Sequence, residues 1–483
     1  MKRFNVAGLC IPEKHYMCDI SAKFARCKEL VDDGLYFAIN YPRQHGKTTM
    51  QYFLTKEFEK REIEIVNPGI CCVEDEFNTA VALFEKEKVD VIVTLHLAYS
   101  PSLESSKVLA NTKIPIVILD TTYNFSFSPA NINDELIMMN HGIHGVQDMC
   151  NLLLRNNKPF QIEAGHWKKS NVIQRVISDV RIAKMTSFMK NIRIGIIGKQ
   201  FKGMGDFQVP FNKLKENIGI EVVQATPESV SKLINELSDD EIENEIIADK
   251  KTYNCRKIDE NTFKQNIKAA LAVRKWIQKE NLSGFSINFN EINQKTDFPT
   301  MPFLEASKSM TRGIGYAGEG DVLTAALTSA LLSEFPETSF VEIFCPGWEE
   351  DIIFLSHMGE MNLNLTQLQP NLIEKSLPFI DGCNPVIGVG TFKEGNAILV
   401  NLAPLAGDKY KLIIAAVKVF NPDVNDEKSD SIRGWIKPQI PITDFLEKYS
   451  ENGGTHHSAM VYTTEIEKIE KFGKLMNFEV VKI

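Results

Sequence analysis

Short strand-like segments alternate with segments of helical periodicity along the first part of the sequence. Residues 91–95 and 114–120 are apolar runs of strand length, and residues 62–66, Glu-Ile-Glu-Ile-Val, also predict a strand. Residues 74–88 place apolar side chains at helical spacing. Strands buried on both faces appear as continuous apolar runs, and covering helices connect one parallel strand to the next. The alternation therefore predicts parallel β-sheets covered by helices.

The same patterns divide the chain into blocks. A long helix predicted near residues 171–189 precedes a new strand at 192–198, which indicates a boundary near residue 190. After about residue 336, apolar strands are separated by Gly, Asn and Asp turn signals. The predicted fold class is α/β, with two Rossmann-like parallel-sheet domains followed by a C-terminal β-rich, antiparallel barrel-like domain. The strands that carry the β-rich prediction are 386–390, 397–402 and 411–416.

The charge balance limits the class of partner. The chain has 54 Lys and Arg against 63 Asp and Glu, a net charge of -9, whereas nucleic-acid binding needs an excess of cations. No apolar run approaches the roughly 20 residues that span a bilayer. The nine cysteines include no C-x-x-C pair, which disfavours a zinc knuckle or a disulfide framework. We expect a cytoplasmic protein with neither a nucleic-acid nor a membrane partner.

The densest group of special residues lies at 313–321, where four glycines precede a predicted helix. Glu319 and Asp321 bring two carboxylates to the start of that helix. Glycine permits tight turns and the close approach of a ligand to the backbone. From this segment alone, a Gly loop with an Asp helix cap is the simpler interpretation, and a ligand site is the other. A phosphate site is disfavoured, because the two carboxylates would repel phosphate.

A second group is the pair His456 and His457, which follows a Gly turn and precedes a predicted strand. Neutral imidazole is the commonest metal ligand, so an adjacent pair is consistent with a metal site. A third group combines Glu342 with the His-x-x-Glu pattern of His357 and Glu360. Each group alone is weak, because such spacings are also usual for surface residues.

Together these segments resemble the L-arabinose isomerase family, in the broader L-arabinose/L-fucose isomerase superfamily, over about residues 58–483. Gly-Glu-Gly-Asp at 318–321, followed by Thr-Ala-Ala-Leu at 324–327, is specific to that family. Three further motifs recur in the family's order, so four separate motifs agree. These three are 340–342, 356–360 and 453–457, and the segments similar to the family's first domain are 95–102 and 140–145.

The resemblance implies a metal-dependent aldose–ketose isomerase of arabinose catabolism, which converts L-arabinose to L-ribulose through a metal-stabilised cis-enediolate. By this resemblance Glu319, Glu342, His357 and His457 are the ligands of Mn²⁺ or another divalent metal. Two carboxylates and two imidazoles with open positions suit a six-coordinate Mn²⁺ better than a closed tetrahedral zinc site. Glu319 and Glu342 would also be the catalytic acid–base pair.

The resemblance further implies a sugar substrate and a homo-oligomer with a shared active site. In the family, first-domain residues of one chain reach the metal of another chain, and His144 is the candidate for that contact. The positions that correspond to substrate-lining residues of the family are Asp321, Phe340, Glu360 and His456.

The first 57 residues depart from the family and resemble the start of AAA-ATPase-like proteins. Residues 36–49 form a Walker A variant that ends in Gly46, Lys47 and Thr48, but Tyr41 replaces its first glycine. ATP hydrolysis is unexpected, because the family resemblance begins before a Walker B acid and a sensor could occur. A vestigial phosphate-binding role for Gly46, Lys47 and Thr48 stays open. The fragment either supplies the first strand–helix unit of the next domain or is a loose appendage.

Four domain-sized segments are thus predicted, and two alternative functions stay open. One alternative is a nucleotide-binding or regulatory protein with an inactive isomerase-like body, and the other is an isomerase of a different sugar. The segments are a P-loop fragment at 1–57, an N-terminal α/β domain at 58–190, a central α/β domain carrying Glu319 at 191–335, and a C-terminal β-rich domain at 336–483.

Overall fold

The computed structural model contains two compact units, Met1–Lys184 and Met185–Ile483. The P-loop-like fragment, with Gly46, Lys47 and Thr48, lies outside the residues that the structure describes. None of the helices in the described part combines the length and apolar content needed to cross a bilayer. The described residues are 64–96, 99–122, 124–131, 136–137, 140–167, 169–377, 382–420 and 430–483.

The first unit contains a parallel sheet with strand order β1-β2-β3, as the alternating pattern predicts. Ile116 and Ile118 on β2 are fully buried, and Val81, Leu109 and Met149 pack in the same core from the covering helices. Residues 64–66, predicted as part of a strand, have no regular secondary structure. The elements are α1 Glu74–Lys86, β1 Ile92–Leu95, α2 Ser106–Asn111, β2 Ile116–Asp120, α3 Ile143–Arg155, β3 Phe160–Ala164 and α4 Val172–Lys190, which crosses into the second unit.

The second unit begins with a four-stranded parallel sheet of order β5-β4-β7-β8. Ser238 and Glu241 form a capping box at the start of α7, whose first turn is acidic. Gly195 on β4 packs directly against the ring of Trp276 on α8, which leaves no space for a side chain. The elements are β4 Arg193–Ile197, α5 Phe211–Asn217, β5 Glu221–Ala225, α6 Pro227–Ser231, α7 Asp239–Thr252, β6 Asn254–Arg256, α8 Glu260–Lys279, β7 Gly284–Ile287, α9 Phe303–Thr311, β8 Gly315–Gly318 and α10 Val322–Glu334.

The glycine-rich segment at 313–321 is only partly a loop. Gly315–Gly318 is the buried strand β8, and a Cβ on Gly315 would lie 2.7 Å from the carbonyl oxygen of Ala325 on α10. The glycine therefore serves the close packing of strand on helix. One turn, at Gly313, precedes the strand, a second turn at Glu319 and Gly320 follows it, and Asp321 caps α10 as predicted.

Six antiparallel strands close into a barrel in the order β9-β10-β15-β14-β13-β16, which confirms the predicted barrel-like domain. Ile353, Leu355 and Leu399 are among the buried side chains of its core. Strand β6, from the segment assigned to the central domain, pairs in parallel with β11 of the same extended sheet. The elements are β9 Thr338–Gly347, β10 Ile352–Ser356, β11 Asn371–Glu374, β12 Val386–Thr391, β13 Gly395–Leu405, β14 Lys409–Phe420, β15 Ile432–Pro438, α11 Ile442–Glu451, β16 His457–Val461, α12 Ile466–Leu475 and β17 Glu479–Lys482.

Candidate active site

Strand pairing in the barrel brings three of the predicted metal ligands together. Glu342 on β9 is paired with His457 on β16 and with Ser356 on β10, and His357 follows Ser356 directly. Directly paired residues of antiparallel strands project to the same face of the sheet. Glu319 enters from the end of β8, so residues far apart in sequence lie around one end of the barrel.

The donor atoms of these residues form two overlapping groups in the described part of the chain. Glu342, His357 and His457 form one group, and Glu319, His456 and His457 form the other. Within each group one ligand atom from every residue lies within 4.8 Å of the others. His357 Nε2 is 3.9 Å from Glu342 Oε2, and His457 Nε2 is 3.7 Å from Glu319 Oε2. All four predicted ligands therefore lie in groups that share His457, and His456 joins them.

The backbone conformation at Glu319 and Gly320 directs the Glu319 side chain into this site. Its φ is 63°, a left-handed value that is uncommon for a residue with a side chain, and Gly320 follows at 83°. The carbonyl oxygen of Glu319 accepts a hydrogen bond from the backbone N–H of Phe201 at 3.0 Å. A Cβ on Gly320 would lie 2.6 Å from the Cα of Gln200, so only glycine fits there. A strained backbone conformation of this kind persists only where the surrounding contacts hold it in place, and it is commonest at functional sites.

Carboxylates hold two of the imidazole rings by their Nδ1 atoms. His357 Nδ1 lies 2.6 Å from Glu360, and His457 Nδ1 lies 3.1 Å from Asp321, which also caps α10. A carboxylate at Nδ1 fixes the proton there and leaves Nε2 as an acceptor facing the site. None of the described residues hydrogen-bonds the buried Nε2 of His457, so this atom is suited to bind a cation.

Glu360 and Phe340 form the wall behind the two imidazole rings. Glu360 accepts hydrogen bonds from the Tyr316 hydroxyl at 2.7 Å and from the backbone N–H of Gly359 at 2.8 Å. Phe340 meets the rings of His357 and His457 edge-on, at centroid distances of 4.8 and 4.9 Å. These contacts orient the imidazoles, while contact of Glu360, Phe340 or Asp321 with substrate stays a prediction.

A loop after β4 supplies residues that sequence reasoning missed. Asp206 Oδ2 lies 2.5 Å from His456 Nδ1, and the ring of Phe207 stacks on His457 at 5.5 Å. Tyr316, which reaches Glu360 from β8, was also missed. The sequence did hold one indication of this loop's role: polar residues such as Asp206 follow a predicted parallel strand, and residues in that position often line a ligand crevice.

Three domains of one known enzyme family match this chain in sequence order. The L-arabinose isomerase N-terminal domain matches residues 45–191, the central domain matches 213–333 and the C-terminal domain matches 337–479. The chain belongs to the L-arabinose isomerase family. The match begins at residue 45, earlier than the expected 58, so it includes Gly46, Lys47 and Thr48. Their phosphate-binding role stays a prediction.

Curated relatives of this L-arabinose isomerase family member are similar over most of their length. L-arabinose isomerase 2 of Bacillus licheniformis is 26% identical over 423 residues, which cover 83% of this chain and 85% of that protein. L-arabinose isomerase of Geobacillus thermodenitrificans is 23% identical, with 87% of this chain and 86% of that protein covered. L-arabinose isomerase 1 of Clostridium acetobutylicum is 22% identical, with 83% of each covered.

The surroundings of the two candidate catalytic carboxyls move their pKa values in opposite directions. Burial opposes ionisation of Glu319, but the hydrogen bond to His456 and the neighbouring imidazoles lower its pKa. Burial raises the pKa of Glu342, and the charge of Glu319 adds to that effect. Burial also opposes charge on His456, yet hydrogen bonds with Asp206 and Glu319 raise its pKa to about 10. Carboxyls whose pKa values are pushed apart are suited to separate acid and base roles.

In the first unit of this family member, the two segments that resemble the family's first domain pack on each other. Gly142 lies against the carbonyl oxygen of His96, and a Cβ on Gly145 would lie 2.7 Å from the His96 ring. His144 is exposed on α3, with the rings of Tyr99 and His141 at 6.3 and 6.0 Å. Its contact with the active site of another chain stays a prediction.

Proposed function

We propose that this protein is a divalent-metal-dependent aldose–ketose isomerase that converts L-arabinose to L-ribulose. The observation that supports the proposal most is the grouping of Glu319, Glu342 and His357 around His457, in a chain of the L-arabinose isomerase family. Relatives named L-arabinose isomerase, similar over more than four-fifths of their length, support the choice of sugar.

The residues that would hold the metal are Glu319, Glu342, His357 and His457. Two features fit a divalent cation: the buried Nε2 of His457, which no residue in the described ranges hydrogen-bonds, and the mixed carboxylate–imidazole donor set. When bound, Mn²⁺ or a similar ion would polarise the sugar carbonyl and stabilise negative charge that develops on the substrate.

Isomerisation moves one proton from C2 to C1 of the open-chain sugar and another from the C2 hydroxyl to the C1 oxygen. In the proposed mechanism Glu319, ionised because its pKa is lowered, removes the C2 proton and returns it at C1. Glu342, whose pKa is raised, exchanges the proton between the two oxygens through an enediol. His456 and Phe340 contact the sugar beside these groups.

The protein would form a homo-oligomer with His144 of one chain at the site of another. Its domains would span residues 58–190, 191–335 and 336–483. Closure of the site by a neighbouring chain would exclude water from the enediol, which protects a reactive intermediate.

A Mn²⁺-supplemented screen over aldopentoses and aldohexoses tests the function directly. L-Arabinose should give L-ribulose, with activity lost in chelator and restored by Mn²⁺. Turnover of another aldose alone would change the assigned substrate. No turnover of any aldose, together with thermal stabilisation by ATP, would favour the regulatory alternative instead.

A further inference from the structure

We propose that Asp206 is a positioning residue that holds His456 toward Glu319 and the sugar. This inference rests on the proposed function, because His456 is assigned there to substrate contact. Asp206 belongs to the loop between β4 and α5, and it is 250 positions from His456 in the sequence.

The carboxylate of Asp206 contacts both the backbone and the ring of His456. Its Oδ2 accepts a hydrogen bond from the backbone N–H at 3.2 Å and lies 2.5 Å from Nδ1. One oxygen therefore determines where the residue sits and how its ring is rotated. The opposite ring nitrogen, Nε2, then lies 3.5 Å from Glu319 Oε2.

A carboxylate beside Nδ1 is also found at the other two imidazoles of the site. Glu360 holds His357 and Asp321 holds His457, each through Nδ1. In each case the second ring nitrogen faces the centre of the site. Asp206 is the third carboxylate of this kind, and it serves the one imidazole that is absent from the proposed ligand set.

The loop that carries Asp206 is itself held in place. Gln200 donates its side-chain N–H to the carbonyl oxygen of Phe207 at 3.1 Å, and Phe201 donates its backbone N–H to Glu319. Phe207 is buried against both adjacent histidines. Asp206 is thus presented to His456 from a fixed backbone.

The contact with Asp206 matters for the orientation of His456 because the side chain of His456 is 29% exposed, whereas that of His457 is fully buried. Packing therefore restrains its ring on fewer sides than the ring of His457. A reacting group displaced by about 1 Å can cost on the order of a hundredfold in rate. Loss of Asp206 should therefore impair sugar binding and turnover without removing a metal donor.

The orientation of the His456 ring can be measured in metal-free protein, where activity plays no part. Histidine-labelled ¹⁵N NMR, assigned with His456→Gln, should show a hydrogen-bonded Nδ1 proton at His456. Asp206→Ala should abolish that signature. Asp351→Asn is the matched control, because Asp351 is also half-exposed and accepts a backbone hydrogen bond, from Ile442 at 2.8 Å. An unchanged His456 signature in Asp206→Ala would overturn the proposal, whatever the enzyme activity.

A double-mutant cycle tests the consequence for the sugar. Asp206→Ala should lower kcat/KM by about 10- to 100-fold and weaken binding of L-arabitol, which cannot isomerise, while Mn²⁺ affinity stays within about twofold. In the His456→Ala background, Asp206→Ala should cause no further loss. Additive losses, or a parallel collapse of Mn²⁺ affinity, would show that Asp206 does not act through His456. A wild-type protein that isomerises no aldose would contradict the proposed function, but the ring measurement would still decide the role of Asp206.

Discussion

Glu319 and Glu342 are two carboxyl groups of one site with different backbones and different neighbours. Glu319 occupies a strained turn with a φ of 63°, whereas Glu342 lies within strand β9, which is paired on both sides. Hydrogen bonding to His456 favours the ionised form of Glu319, and burial favours the neutral form of Glu342. The asymmetry of the proposed acid–base pair therefore comes from position within the fold.

We expect Glu319→Gln and Glu342→Gln each to reduce isomerisation at least a thousandfold while the chain stays folded. An amide can neither take up the transferred proton nor balance the charge of a cation, and general acid–base catalysis contributes about 10²- to 10⁴-fold. Steady-state kinetics and circular dichroism would measure activity and folding. The exposed Glu349→Gln is the control, and a Gln variant of either site residue that kept most of its activity would move the proton-transfer role elsewhere.

Gly318 keeps open the space that the His357 ring occupies. A Cβ there would lie 2.8 Å from Cε1 and 3.1 Å from Nε2 of His357. We expect Gly318→Ala to displace the ring and weaken Mn²⁺ affinity by about 10- to 100-fold, as measured by calorimetry. Gly205→Ala is the matched control, since a Cβ at Gly205 would meet no atom of the described residues within 4 Å. Equal Mn²⁺ affinities in the two variants would contradict the proposed role of His357 as a ligand.

At the scale of elements, three helices of the second unit are joined by a buried ionic network. Arg274 on α8 binds Glu245 on α7 at 2.6 Å and Glu305 on α9 at 2.8 Å. Lys308 on α9 contacts Glu245 and also lies 2.5 Å from Asp249. Removing one partner of such a network leaves a buried charge uncompensated, which is costly. The network therefore fixes how these three helices pack on one another.

The network predicts a specific acid sensitivity of the fold. Burial opposes ionisation of Glu245, but Arg274 and Lys308 lower its pKa from 4.5 to about 2. A lowered folded-state pKa stabilises the fold above pH 4.5, and this contribution is lost as the pH falls toward 2. It amounts to at most about 3 kcal/mol of unfolding free energy.

We expect Glu245→Gln to unfold more easily at neutral pH and to lose less stability than wild type between pH 4.5 and 2. Denaturant unfolding at several pH values would measure both effects. Glu243→Gln, on the exposed face of the same helix, should keep the wild-type pH profile. Identical acid profiles for Glu245→Gln and wild type would show that Glu245 is not the titrating group.

At the scale of the whole molecule, the proposed shared site can be tested by subunit complementation. His144→Ala and Glu319→Gln should each be inactive as homo-oligomers. When they are co-expressed, random mixing should leave about a quarter of the sites with both intact residues, and activity should return to that level. Absence of any recovery, or a fully active monomer in light scattering, would reject a site shared through His144.

Much of the fold follows from local sequence patterns. The apolar runs at 91–95 and 114–120 correspond to β1 and β2, and the capping box at Ser238 opens α7. Local patterns failed where distant contacts decide the structure. Residues 315–318 looked like a loop because of their glycines, yet they form a buried strand that needs glycine to pack on α10.

The sequence alone determined the alternation of strands and helices, the change to a β-rich C-terminal part and the order of the site motifs. Residue type and periodicity act over a few positions, so these properties can be derived without coordinates. Tertiary contacts were needed to show that His457 lies opposite Glu342, that its Nε2 has no hydrogen-bond partner in the part of the chain that the structure describes, and that Asp206 reaches His456. Strand register and loop placement bring together atoms of residues up to 250 positions apart in the sequence. Local patterns extend over a few residues and carry no information on such contacts.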